Sequence, residues 1–153
     1  MDNSDFENVI SDPKGELSIA LTVNFIWINA SEIFRYFVFV MPMMREAFPE
    51  LTDIAPMSLA VFLSWAVWDT ILVVSVSLIA WLSLYKIGLG WRAVFVTGTA
   101  IWAAIFVILW LGLWNMNLTT GPIVLIALSL AWVEMIIATV IVRWAILRTG
   151  RPS

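Results

Sequence analysis

The chain has 153 residues, of which 62% are hydrophobic and 12% are charged, and its net charge is -3. A soluble domain carries roughly 25% charged residues, so an ordinary water-soluble domain is excluded, and the lack of any basic block speaks against nucleic acid as a partner. There is no cysteine and no histidine, which removes disulfides, thiolate metal sites, cysteine nucleophiles, the usual general base and the commonest metal ligand, so no metal or cofactor is expected.

Residues 1–17 carry Asp2, Asp5, Glu7, Asp12 and Glu16 against one Lys14. A cleaved signal needs a positive start followed by a short apolar core, so this stretch reads as an acidic cytoplasmic segment of the mature chain. The first long apolar run follows, from about Ser18 to Met44. Roughly 20 apolar residues, rising ~1.5 Å each, suffice to cross the hydrocarbon core. Pro42 near its end is expected to kink or stop the helix. A polar loop with Arg45, Glu46, Glu50 and Asp53 comes next, punctuated by Pro49 and Pro56.

The second run spans about Ser58 to Leu84, and Gly88 and Gly90 mark the turn after it. The third, about Ala93 to Trp114, has no charge and carries Gly98, Ala100, Ala103, Ala104 and Gly112. Small residues permit close helix contact in lipid, so this reads as a packing surface. Asn115, Asn117, Thr119, Thr120 and Gly121 form a turn, and Pro122 suits the first position of the fourth run, about Pro122 to Leu147. A short basic tail, 148–153, closes the chain.

The pattern predicts an all-α polytopic membrane protein: a bundle of four transmembrane helices with short loops, forming one domain over 18–147. Short loops make sequential helices antiparallel neighbours. Lys14, Lys86, Arg92, Arg148 and Arg151 fall on one side and Arg45 on the other, which places both termini in the cytoplasm, at a plasma or inner membrane. Trp81, Trp91 and Trp144 then sit near one interface and Trp110 and Trp114 near the other, as an aromatic belt.

Several residues do not suit a plain anchor. Asn24, Asn29, Glu32, Arg35 and Tyr36 fall within an arc of roughly 140° on the first helix, a polar face that lipid rejects. Asp69 lies inside the second helix and Glu134 near the middle of the fourth. Three carboxyl groups from three helices thus share one depth. Each costs roughly 2.5–3.5 kcal/mol if ionised and unpaired at the bilayer centre. Arg35 can bridge Glu32 one turn away, but one cation does not offset three anions. At least one carboxyl is therefore neutral, hydrated or opposite a cationic ligand. The bland alternative is that the acids and Arg35 simply hold the helices together.

Five tryptophans lie too deep for a belt: Trp27, Trp65, Trp68, Trp102 and Trp132. Indole faces attract cations, so acids and aromatics at one depth suit a lipophilic or cationic small molecule. Equally, these rings fill space in a bundle and need acceptors for their N–H groups. The candidate ligand- or ion-binding set is Glu32, Arg35, Asp69, Glu134, Asn29, Tyr36, Trp65, Trp68, Trp102 and Trp132. Glu134 also shares a face with Ala127, Ala131 and Ala138, a second packing surface.

Three functions fit these residues. The first is binding or transport of a small lipophilic or cationic molecule, proton-coupled through a carboxyl. Four helices are few for a monomeric transporter, so this predicts a homo-oligomer. The second is an accessory or scaffold subunit of a larger membrane partner. The third is a membrane enzyme, an isomerase or cyclase, using one carboxyl as acid and another as base. Enzymatic activity ranks below the other two, since no nucleophile–base pair is visible. The string Ser31-Glu32-Ile33-Phe34-Arg35-Tyr36 resembles a segment in the small membrane subunit of TRAP transporters, also a four-helix protein. In that family the segment falls in the second helix, here in the first, and the later parts of its pattern are missing. The resemblance implies an accessory role.

Overall fold

A computed structural model describes residues 13–50 and 58–149. Asp53, Pro56, Arg151 and the acidic stretch before Pro13 lie outside the described residues. Those described form four helices and no strand: α1 (Pro13–Ala47), α2 (Leu59–Ile87), α3 (Trp91–Asn115) and α4 (Gly121–Thr149). All four are long and apolar enough to cross a membrane. α1, α3 and α4 each contain an expected span and extend past it at both ends, whereas α2 starts one residue after the expected Ser58 and runs past Leu84 to Ile87.

Local chemistry sets the boundaries. Phe48 leaves the helical region at φ -132, as expected of a residue followed by proline. The Ser58 side chain accepts a bond from the Val61 N–H and caps α2. Gly88 ends α2 at φ 106, a conformation that side chains with a Cβ resist. Asn117 takes the left-handed conformation at φ 56 in the last turn, which asparagine tolerates better than most residues. Pro42 does not stop α1. The helix widens into a π turn at Tyr36–Val40 and then continues to Ala47. That turn precedes the proline and shifts the register where its ring and missing N–H disrupt the ordinary ladder. A second π turn, Ala103–Val107, lies in α3.

The first and last helices run antiparallel: Asn24 meets Ala138, and Trp27 meets Glu134. The start of α1, the α2–α3 turn and the end of α4 therefore share one end of the bundle. At that end the Arg143 Nε donates to the Leu89 carbonyl at 2.7 Å, and its guanidinium lies over Trp91. The interior is filled by fully buried Val76 and Ala80 from α2, Val94 from α3, and Ala131, Met135 and Ala138 from α4.

The expected packing surface of α4 is seen, with Ala127, Ala131 and Ala138 all at 0% exposure. That of α3 differs. A Cβ on Gly98 would stand 3.1 Å from both the Ile136 Cα and the Met135 carbonyl, so α3 and α4 touch there. Ala100, Ala104 and Gly112 face away, because α3 buries the strip through Ala93, Val94, Thr97 and Ile101 instead. The outer surface is apolar: Leu59, Leu125 and Ile108 are each about 70% exposed. Side chains of this kind in a continuous outward layer match a hydrocarbon surround, not water.

Candidate functional site: an intramembrane carboxyl cluster

One face of α1 carries the polar interior. Ala20, Asn24, Ile28 and Arg35 are all buried, and Ser31 lies between the last two. Spacings of three and four residues put them on one stripe. The Arg35 guanidinium is the hub. Its Nη1 donates to Glu134 Oε2 at 2.7 Å, and its Nη2 forms an ion pair with Glu32 Oε1. Glu134 Oε2 also accepts from the Ser31 hydroxyl at 3.0 Å. The Phe106 ring, carried by the π turn of α3, lies 5.0 Å from the guanidinium and closes the site on that side. Asp69, from α2, interacts electrostatically with Arg35, Glu32 and Glu134, and makes no hydrogen bond among the described residues.

The two oxygens of Glu134 are not equivalent. Oε2 takes both donors, whereas Oε1 is buried with no partner. Glu134 as a whole is 1% exposed. The Tyr36 hydroxyl is likewise buried and unpartnered, and its ring meets Trp65 edge-on at 4.8 Å. Tyr36 is the first residue of the π turn of α1, and Arg35, which holds Glu134, directly precedes it. The expected pairing of Glu32 with Arg35 within α1 is present, and Glu134 is added to it from the other end of the chain.

The structure brings Glu32, Arg35 and Glu134 into contact, with Asp69 within electrostatic reach of them, while Tyr36 and Trp65 pack on each other and Tyr36 borders the Val40, Ile123 and Ala127 cluster. It does not bring the remaining candidates there. Asn29 turns back on its own helix and donates to the Phe25 carbonyl at 2.8 Å. Trp68, 52% exposed, lies on the outer surface in a shallow apolar groove of about 320 Å³ with Ile71, Leu72, Ser75 and Ile105. Trp102 donates to the Leu128 carbonyl at 2.9 Å, and Trp132 to Thr99 Oγ1 at 3.0 Å; both clamp α3 to α4. Trp27 does the same between α1 and α4, donating to the Glu134 carbonyl at 3.1 Å. Four deep indoles thus serve helix contacts or lipid, and Trp65 packs on Tyr36 and Phe37.

The described buried polar residues outside the candidate set are Glu16, Asn24, Ser77, Thr97, Thr119 and Thr139, and two of them join helices through side-chain amide or carboxyl groups. Asn24 Nδ2 donates to Ser77 Oγ at 3.0 Å and to the Ala138 carbonyl at 3.3 Å, joining three helices. Glu16, in the first turn of α1, is fully buried; its Oε2 accepts from Trp81 Nε1 at 3.0 Å and from the Tyr85 hydroxyl at 2.5 Å. The signal for Glu16 was its spacing: it continues the stripe of Ala20, Asn24 and Ile28 by one more turn.

Among the described residues no group of acids is arranged to hold a metal ion. The carboxyls surround a guanidinium instead of facing a common centre. The four long apolar helices are compatible with a multi-pass integral membrane protein, and the interior between them holds the ion pairs of Arg35 with Glu32 and Glu134. No protein-family model, characterised protein or solved structure matches the chain.

Proposed function

We propose that this protein binds and transports across its membrane a small cation, the proton, using Glu134 as the carrier and Arg35 as the group that answers its charge. The observation that carries this reading is the Glu134 carboxyl: buried, held through one oxygen, and free at the other. No water-sized space adjoins Oε1, and a proton is the ligand that needs no volume. The cluster supplies the driving imbalance. Glu32, Asp69 and Glu134 face one Arg35, and an unpaired charge at this depth costs roughly 2.5–3.5 kcal/mol. A proton on Glu134 releases Arg35 to Glu32 and Asp69; loss of that proton draws Arg35 back. The π turns on both sides, at Tyr36–Val40 and Ala103–Val107, belong to a class of irregularity frequent at functional sites. In this reading both termini face the cytoplasm, as the distribution of Lys and Arg argues, and a homo-oligomer supplies the wider pathway that four helices lack.

The test is proton uptake by vesicles containing the purified protein and a trapped pH dye. Glu134→Gln, which keeps the shape and removes the titrating group, abolishes uptake if the reading holds. Uptake by this variant equal to that of the parent protein would falsify it.

A second reading rests on the same ion pair. An accessory subunit needs its first and last helices fixed, and the Arg35–Glu134 pair does that. It predicts co-purification with one larger membrane protein in mild detergent, and no proton movement by the isolated chain.

A further inference from the structure

We propose that the terminal end of the bundle, where α1 begins, α2 turns into α3 and α4 ends, binds the headgroups of anionic phospholipids through Lys14, Lys86, Arg92, Arg143 and Arg148. The proposal stands apart from the proton-carrying reading of Glu134 and shares no residue with it.

These five cations meet no carboxylate among the described residues, where both ion pairs belong to Arg35. The described acid at this end is Glu16, which is fully buried and turned inward to Trp81 and Tyr85. Lys14, Lys86, Arg92 and Arg148 are exposed, and Arg143 is half-buried. The opposite end is balanced differently: Arg45 has Glu46 beside it and Glu50 shortly after. Like charges gathered at one end repel one another, so this end attracts anions from outside the bundle.

Depth decides which anions these are. The 29 residues of α2 rise ~43 Å, against a hydrocarbon core of ~30 Å. The helix ends therefore stand in the headgroup layer. Lys86 lies in the last turn of α2 and Arg148 in the last turn of α4. Lys14 and Arg92 are the second residues of α1 and α3. Neighbouring helices lie about 8–10 Å apart, close enough for one headgroup to meet cations from two helix ends. A group of about four to eight basic residues beside membrane-crossing helices is the footprint of an anionic lipid surface.

The aromatic setting favours lipid over the other available anion, the chain's own segment with Asp2, Asp5, Glu7 and Asp12. The Arg143 guanidinium lies 4.7 Å from the Trp91 ring and that of Arg148 5.1 Å from the Trp144 ring. These rings are 57% and 42% exposed, and indoles of this kind settle at the boundary of headgroups and chains. Trp144 and Arg148 are one turn apart, so Arg148 shares the outward face of α4, where lipid lies. A guanidinium laid on an indole keeps its N–H edge open, and that edge takes phosphate oxygens in pairs. Arg143 donates through Nε to the Leu89 carbonyl, and its two Nη groups make no hydrogen bond among the described residues.

The test is the association of spin-labelled lipids with the full chain in phosphatidylcholine bilayers. Spin-labelled phosphatidylglycerol is expected to associate about threefold or more better than spin-labelled phosphatidylcholine. Salt at about 1 M, where the screening length falls to ~3 Å, should bring the ratio close to parity. Lys86→Gln with Arg92→Gln, both at exposed positions, should lower the ratio by about half or more. Arg45→Gln, at the opposite end, should leave it unchanged. Equal association of the two lipids with the parent chain overturns the proposal, and so does a ratio that the double variant leaves intact. A preference that emerges only when Asp2→Asn, Asp5→Asn, Glu7→Gln and Asp12→Asn are combined assigns the surface to the acidic segment, and the lipid proposal falls.

Discussion

Arg35 Nη1 donates to Glu134 Oε2 at 2.7 Å across 99 positions of sequence. The pair joins the first helix to the last at the depth where an unmet charge is most costly. Replacing Arg35 by Gln strands Glu134 and Glu32, and should destabilise the protein by about 3–5 kcal/mol, the range for breaking a buried pair. Adding Glu134→Gln removes one stranded charge and should restore at least about 1 kcal/mol. Denaturant titration in detergent measures both. If the double variant loses the full sum of the two single losses, the residues are not coupled.

Asp69 occupies the same field without a hydrogen bond. Asp69→Asn should therefore shift stability by less than about 1 kcal/mol. It should nevertheless change the rate of proton uptake, since Asp69 is the second destination of Arg35 in the proposed cycle. A large loss of stability with an unchanged uptake rate would reverse the roles assigned to the two acids.

Gly98 and Gly112 lie on one helix and make opposite predictions. A Cβ at Gly98 meets the backbone of α4 at 3.1 Å, whereas nothing lies within 4 Å of one at Gly112. Gly98→Leu should force α3 from α4 and cost about 1–3 kcal/mol or more, as overpacking does. Gly112→Ala should change stability by no more than about 0.5 kcal/mol. Melting temperatures of the two variants, measured side by side, check the contact.

Trp68 and Trp27 differ in what surrounds them. The first is half exposed on the apolar surface, and the second is partly buried with its N–H on the Glu134 carbonyl. Phospholipids with brominated chains should quench Trp68 strongly and Trp27 weakly. Trp68→Phe should accordingly remove more of the quenchable emission than Trp27→Phe. Equal losses would place the α2 surface away from lipid.

The sequence made the four spans legible because runs of apolar residues and their Gly and Pro breakers depend on local chemistry alone. It also made the depth of Glu32, Asp69 and Glu134 legible, since rise per residue converts position to depth. The partner of Glu134 was not legible, because an antiparallel crossing between α1 and α4 fixes it. The tryptophans next to acids in sequence show the limit most clearly. Trp68 and Asp69 are consecutive, so their side chains diverge by ~100° and one faces lipid when the other faces the bundle. Glu16 was grouped with its acidic neighbours because it precedes the apolar run. Helical periodicity continued through it, and that signal outranked composition.

The Arg35–Glu134 pair and the Arg143 clasp on Leu89 both need α4. During synthesis, α1 to α3 emerge first, and until α4 arrives Arg35 has no Glu134 and the α2–α3 turn has no clasp. A nascent chain stopped before Gly121 therefore holds its polar stripe open to lipid or to the insertion machinery. Until α4 is in place Arg35 has only Glu32 of its own helix, and arrival of Glu134 is what ties the first helix to the fourth.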